Sequence, residues 1–230
     1  MTCAHCRAGG ENVFVGRMVR RELTRYRRRG PRGTTGQLLD ALRERGVEGA
    51  LLLDIGSGVG VLDHELLAAG AVRAVTVDAS PAYLTLCAEE AERRGHADRL
   101  EQLLGDFVDL APEVEPADVV TLDRVICCYP HMRVLVGASA TRARRLYGVV
   151  FPREHAVMRF GVAVLNLVQR LLGSAFRVYV HQGRDVDDEL DERGFRRVWT
   201  GGSFLWQARL YERVERSHPN GTEFHVSTRV

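Results

Sequence analysis

The chain of 230 residues contains no lysine, so all 32 basic residues are arginines. With its many Ala, Gly and Val residues, this reflects a GC-rich coding sequence more than a mechanism. One chemical consequence follows. The GxxxxGK[ST] loop that wraps a nucleoside triphosphate is excluded. A surplus of one charge is also missing: 30 acidic residues leave a net charge of +2, which gives no global pull toward nucleic acid or a membrane. Cysteine is scarce, at Cys3, Cys6, Cys87, Cys127 and Cys128. An odd count with one adjacent pair makes no disulfide framework, so the expected compartment is the reducing cytoplasm. Cys3-Ala-His-Cys6 has no second ligand pair to complete a zinc site. The opening MTCAHCRAGG has no apolar core, so no secretory leader is expected. Nor is a membrane span expected, because Arg159, Asn166, Gln169 and Arg170 interrupt the most apolar run, 154–173.

What is present suits one sizeable α/β domain. Residues 1–33 read as an N-terminal arm and a helix covering a pocket, with Phe14, Met18 and Tyr26 near one side and Gly30-Pro31 as the break. A helix is expected from Thr35 to Arg45. Strand and helix signals then alternate, with apolar strands at 50–54, 72–78, 99–106, 118–123 and 146–151. Helices are expected over 61–69, from Ser80-Pro81 to Gly95, and over 131–145. Such alternation predicts a doubly wound, mostly parallel sheet with helices on both faces. The run 154–173 reads as a lid helix or a homodimer contact, and the strand-like 176–181 completes a lid insertion of about 153–182. A short acidic helix and a hairpin of strands around Gly201-Gly202 follow. The tail 217–230 is expected to be disordered.

The stretch LLLDIGSGVGVLDHELL, Leu51 to Leu67, raises the functional question. Asp54 ends a buried strand, and Gly56, Gly58 and Gly60 follow at alternate positions. Glycine lets the backbone approach a ligand or turn with positive φ, and a following helix offers its free N–H groups. The dinucleotide fingerprint GxGxxG would place its third glycine at position 61, where Val61 stands. An acid beside the loop repels a pyrophosphate and suits a cationic amino-acid group. Asp78 ends the second strand at the distance where a carboxylate meets ribose hydroxyls. Asp106 follows the third strand and can accept from an exocyclic amine, with Phe107 able to pack on a ring. Three acids at the carboxyl ends of successive strands form a constellation on the binding edge of an open sheet.

LLLDIGSGVG, VTVDAS, LLGDF and DVVTLDRVICCYP resemble motifs I to IV of the class I S-adenosylmethionine-dependent methyltransferases, over about residues 34–213. DRVICCYP is further similar to a bacterial subgroup near the magnesium-protoporphyrin O-methyltransferases. The resemblance implies a seven-stranded Rossmann-like sheet with an antiparallel last strand, within a methyltransferase domain at 34–216. It implies that Gly56, Ser57, Gly58 and Gly60 line the methionine part of S-adenosylmethionine and that Asp54 orients its ammonium. Asp78 would take the ribose, with Ala79 and Ser80 beside the adenine. Asp106 and Phe107 would take the adenine edge and face. Asp123 and Arg124 would lie under the donor sulfur. The fifth strand ends VVFPREH, without the Asp-Asn pair of metal-dependent relatives, so no metal is expected.

Methyl transfer from a sulfonium is an in-line displacement, in which a base helps when the acceptor is a hydroxyl. His155 is the first candidate base, with Tyr129 and His131 next. His181 and Trp206 are further candidates for the acceptor side, and Cys127 and Cys128 read as core fillers. Val157, Phe160, Val164, Leu165 and Val168 are expected to wall a hydrophobic acceptor pocket. The leading expectation is O-methylation of a small hydrophobic or aromatic molecule. RNA methylation, suggested by the arginines of 17–32, is the first alternative. A protein that binds the cofactor without transferring methyl is the second.

Overall fold

The computed structural model describes residues 16–214. Cys3, Cys6, Phe14 and the tail 217–230 lie outside the described residues. Seven strands form one sheet: β1 (Leu51–Ile55), β2 (Arg73–Asp78), β3 (Leu100–Leu104), β4 (Ala117–Asp123), β5 (Ala143–Pro152), β6 (Phe195–Gly202) and β7 (Trp206–Arg213), in the order β3-β2-β1-β4-β5-β7-β6. β1 to β5 run parallel, and β7 pairs antiparallel with both β5 and β6.

The strands alternate with a period of two, so each sheet face carries its own core. Leu52, Val119, Leu146, Val150 and Leu210 face α2 (Gly33–Glu44) and α3 (Val61–Ala68) through Leu38, Leu39, Leu42, Leu62 and Leu66. Leu53, Val120, Leu122, Tyr147, Val149 and Phe151 face α5 (Phe107–Leu110), α6 (Met132–Ala140) and α8 (Gly183–Asp191). Leu38, Leu39 and Leu42 are wholly buried, and truncating such a leucine to alanine costs about 2–5 kcal/mol.

Three expectations are corrected. The helix expected over 131–145 stops at Ala140, because Ala143 already pairs with Ala117 and starts β5 on β4. The run 176–181 is not a strand. Its backbone is satisfied locally: the Asn166 side chain donates to the Val178 carbonyl and accepts from its N–H (2.7 and 2.9 Å), and Tyr179 N–H donates to Cys127 O. Gly201 and Gly202 end β6, and the hairpin turns at 203–205.

α1 (Arg17–Arg29) buries Val19, Leu23 and Tyr26 against Val59, Tyr83 and Leu86, whereas Met18 is exposed. Its arginines work at close range. The Glu90 carboxylate, buried on α4 (Pro81–Arg94), accepts from Arg27, Arg93 and Arg94 at 2.5–2.8 Å. Burial alone would raise its pKa, but the three guanidinium groups hold it well below the usual carboxylate range. Tyr26 donates to Glu65 at 2.9 Å, and Arg94 sits 4.9 Å over the Tyr26 ring. A cationic helix is thus clamped to α4 by a buried acid.

A second buried acid has no such partner. Asp63 on α3 accepts from Thr76 Oγ1 at 2.6 Å, and its Oδ1 has no hydrogen bond. Burial pushes its pKa up to about 7, against the opposing Thr76 hydrogen bond.

Two outcomes follow. Glu90→Gln removes the anion that three arginines share and should destabilise the fold by about 2–3 kcal/mol in denaturant titration; an unchanged midpoint would refute the clamp. Asp63 is protonated in the folded state and ionised in the unfolded one between roughly pH 4 and 7. Its contribution to stability is therefore fully present at lower pH and is lost as pH rises toward 7. The ligand-free protein should lose stability over that window, by up to about 1.4 kcal/mol per pH unit for one proton. Asp63→Asn should flatten the slope, and identical slopes would dismiss the assignment.

Candidate active site

Strand order reverses between β1 and β4, and an open α/β sheet leaves a crevice at the carboxyl ends of the strands there. The protein has a cavity of about 990 Å³ at that edge. Its floor is built from the ends of β1, β2, β3 and β4. α1 contributes Glu22, Arg25, Tyr26 and Arg29 to the wall, and α7 (Ala156–Leu171) contributes Met158, Gly161, Val162 and Leu165.

The glycine loop sits deepest. Gly56 has φ 67°, and a Cβ there would lie 2.5 Å from the Val125 side chain, so only glycine lets the loop pass. Asp54 is 2% exposed and accepts from Thr121 Oγ1 at 2.6 Å. Burial first, and the nearby Asp63 second, raise its pKa well above the usual range. Among the described residues it has no ion-pair partner. Ser57 Oγ is buried in the same wall without a hydrogen-bond partner. A buried acid beside an unsatisfied hydroxyl is a poor resting place for charge and a good receptor for a cation that donates hydrogen bonds.

Asp78 is held by the loops themselves. Its oxygens accept from Gly58 N–H at 3.0 Å and Ser80 N–H at 2.8 Å. Burial pushes its pKa up to about 6, with these hydrogen bonds opposing. A carboxylate has about four acceptor positions, so these backbone donors do not exhaust it and it can still accept from a ribose hydroxyl. Asp106 accepts from Val108 N–H at 3.0 Å and, at 3.3–3.4 Å, from the buried Tyr129 hydroxyl. Phe107, 3% exposed, closes that end.

The rest of the wall is largely apolar, with Asp123 and Arg124 set into it. Asp123 Oδ2 accepts from Thr35 Oγ1 at 2.5 Å, while Oδ1 has no hydrogen bond and lies 3.8 Å from Arg124 Nε. Burial raises the Asp123 pKa, opposed by Arg124 and Thr35. Arg124 has φ 63°, the one positive φ outside glycine among the described residues. Its guanidinium lies 5.1 Å over Trp206, and Arg124 N–H donates to Val150 O. Strained backbone of this kind persists only where its surroundings fix it, as functional sites do. Val178, Phe176, Leu205, Trp206, Cys127 and Cys128 complete the wall.

Asp54, Gly56, Ser57, Gly58, Asp78, Ala79, Ser80, Asp106, Phe107, Asp123, Arg124 and Tyr129 therefore share one cavity. Other expected residues do not reach it. Gly60 (φ 74°) faces the protein interior, where a Cβ would meet Cys87 Sγ at 2.4 Å. It lets the loop settle on His64, whose Nε2 lies 3.1 Å from Val59 O and whose Nδ1 lies 2.9 Å from His96 Nε2. Burial, then His96, lowers the His64 pKa to about 4, so the ring stays neutral; its single N–H serves Val59 O and His96 donates to Nδ1.

His155 is not placed as a base. It caps α7, with Nδ1 accepting from Met158 N–H at 3.2 Å and Nε2 donating to Phe204 O at 2.8 Å. The helix cap and the Phe204 carbonyl together engage both ring nitrogens. His131 is exposed at the start of α6, outside the cavity wall. His181 donates to the Ile126 and Tyr129 carbonyls and holds that turn. Of the five apolar α7 residues expected in the pocket, only Leu165 lines it. Val157, Phe160, Val164 and Val168 lie on the outer face.

The sequence reading missed Glu22, Thr35 and Tyr83. Tyr83 donates to Glu22 at 2.9 Å across the cavity rim. These come from separate helices with no motif: α1–α4 packing joins Glu22 to Tyr83, and α2 brings Thr35 to Asp123.

The donor set fits S-adenosylmethionine: an acid for an ammonium, an acid that can still accept from a ribose hydroxyl, and an acid with an aromatic side chain for adenine. Comparison with known proteins points the same way. Residues 52–145 match the methyltransferase domain family. The ribosomal protein L11 methyltransferase of Edwardsiella ictaluri is 31% identical over 127 residues, which cover 52% of this chain and 43% of that protein. The chain thus matches less than half the length of this curated relative. The fold is shared with the Synechocystis PCC 6803 magnesium protoporphyrin IX methyltransferase, solved with bound S-adenosylhomocysteine (TM-score 0.64, 21% identity, 78% of this chain and 80% of that one). It is also shared with the [4+2]-cyclase SpnF (TM-score 0.64, 12% identity, 85% and 92%). The matched methyltransferase domain over residues 52–145, the fold shared with a methyltransferase solved with S-adenosylhomocysteine, and the acids at the switch point agree with one another.

Proposed function

We propose that the protein methylates a small hydrophobic or aromatic molecule, with oxygen as the acceptor atom. The observation that carries this is a cavity that joins three strand-end acids to an apolar wall of Met158, Val162, Leu165, Phe176 and Trp206, with Asp123 and Arg124 beside Trp206. Asp54, Ser57 and the Gly56–Gly58 backbone would hold the amino-acid part of the cofactor, Asp78 the ribose, and Asp106 with Phe107 the adenine. When bound, S-adenosylmethionine supplies an already activated methyl group, so the protein's work is alignment and exclusion of water.

Met158, Val162, Leu165, Phe176 and Trp206 exclude water at the acceptor end. A hydroxyl acceptor also needs somewhere to leave its proton. With His155 spent as a cap, Asp123 Oδ1 is the group suited to take it. It has no hydrogen bond, its pKa is raised, and Thr35 fixes its partner oxygen. Arg124 stacked on Trp206 is placed to orient a polar substituent of the acceptor. We place the activity in the cytoplasm; no disulfide joins the cysteines among the described residues, in keeping with a reducing compartment.

SpnF shares the fold and is a cyclase by name, which keeps a second reading, cofactor binding without methyl transfer, as an outcome of the test. Calorimetric titration with S-adenosylhomocysteine should give micromolar binding, absent for NAD and abolished in Asp78→Ala. Absence of binding to folded wild type would refute the cofactor site. With an acceptor panel scored by S-adenosylhomocysteine release, Asp123→Asn should retain binding and lose about 10²–10⁴-fold in turnover. Equal turnover in that variant would remove Asp123 as the base. Cofactor binding with no methyl product from any acceptor class would favour the second reading.

A further inference from the structure

No residue of α7 is fully buried. One side lines the cavity. On the other, Val157, Phe160, Val164, Leu167, Val168 and Leu171 are 44–78% exposed. Their spacing keeps them in a single stripe along the helix. Phe204, 69% exposed in the β6–β7 turn, extends the stripe past the helix N-terminus, where its ring lies 4.7 Å from that of His155. Isolated exposed leucines need no explanation, but a contiguous apolar stripe marks an interaction surface.

Charge identifies what it fits. From His155 to Gly183 there is no acidic residue, and Arg159, Arg170 and Arg177 are the only charged residues. Arg159 and Arg170 lie three turns apart along one edge of the stripe, and neither has an ion-pair partner among the described residues. A second copy of the chain is a poor match. Pairing two α7 helices about a two-fold axis at Val164 sets Arg159 of one copy beside Arg170 of the other, with no acid on either helix. An apolar stripe edged by unpaired cations matches an anionic bilayer surface, where side chains enter the acyl boundary and arginines meet lipid phosphates. Among the described residues no helix is long and apolar enough to cross a membrane, so α7 would lie in the interface plane.

We propose that α7 and the β6–β7 turn dock on an anionic phospholipid bilayer. The cavity then opens toward the lipid, because Leu165 and Leu205 line its wall and are also about two-fifths exposed (42% and 43%). An acceptor dissolved in the bilayer would reach the site without crossing water. This last step rests on the methyltransferase reading, whereas the docking does not.

The test is vesicle flotation of the full chain, with phosphatidylcholine vesicles with and without phosphatidylglycerol. Wild type should float with the phosphatidylglycerol vesicles and less well as salt rises. Phe160→Ser/Leu167→Ser and Arg159→Glu/Arg170→Glu should each weaken binding by at least about tenfold. None of these four residues lines the cavity, so both variants should keep wild-type affinity for S-adenosylhomocysteine, which certifies their folding. Failure of that affinity in wild type with flotation intact would sink the cofactor site and leave the docking standing. Absent flotation of folded wild type overturns the proposal, as does flotation indifferent to both variants. A dimer in light scattering that Phe160→Ser/Leu167→Ser converts to monomer would assign the face to a second copy and also overturn it.

Discussion

Everything at the binding edge follows from the burial of Asp54. A carboxylate sealed at the end of a central strand, with one threonine hydroxyl for company, costs free energy in either state. Ionised, it lacks a counter-charge; protonated, it has taken up a proton that folding must bind. Asp63 behind it and Asp78 and Asp123 beside it are displaced in the same direction by the same cause. The fold concentrates desolvated acids where the strand order reverses and, among the described residues, pairs no arginine with Asp54. The arginines serve other ends, in the Glu90 clamp and at the cavity rim. That separation keeps the acid available for a ligand's cation.

The positions of these acids are set by the register of the sheet. Asp54 faces Thr76 across β2 and Thr121 across β4, so both threonines fall on the level of the acid. Thr121 serves Asp54 and Thr76 serves Asp63. A slip of one residue would turn Asp54 to the opposite face, into the cluster of Leu53 and Leu122 and away from Thr121. The site is therefore a property of the sheet and not of the loop alone. The loop adds the approach: Gly56 passes Val125, and Gly60 lets the chain sink onto Cys87 and the paired histidines.

How far all this was legible depends on how local each signal is. The β1 to β5 alternation, the glycine loop and the acids after β1, β2 and β3 are local, since a strand end followed by glycine or a helix cap needs no distant partner to be recognised. Hairpin β6–β7 was legible for the same reason. The apolar run 176–181 was misread because a strand needs a neighbour, and the sequence does not say that Asn166 satisfies Val178 instead. His155 was misread in a related way. A histidine before an apolar helix is compatible with a base or a cap, and only the Phe204 carbonyl and Met158 N–H decide it. Tyr83, Glu22 and Thr35 had no local signal, because their relevance is created by the packing of α1 and α2 over the sheet edge.

The choice of face on α7 is the sharpest case of that limit. The sequence of a helix with apolar residues on more than one side does not say which apolar stripe turns inward, and the reading picked Val157, Phe160, Val164, Leu165 and Val168. The structure turns in Met158, Gly161, Val162 and Leu165, a stripe that includes the helix's one glycine. Space explains it. A wall that must leave room for a ligand cannot spend Phe160 on filling the cavity, and Gly161 keeps the volume open. The bulky side chains are then forced to the opposite side. An ordinary surface helix would be polar there, with charges of both signs, as α8 is with its four aspartates and a glutamate beside Arg184. α7 has only arginines, at the edge of its outer stripe. Room for a ligand accounts for its inner face, and the proposed bilayer docking would account for its outer one.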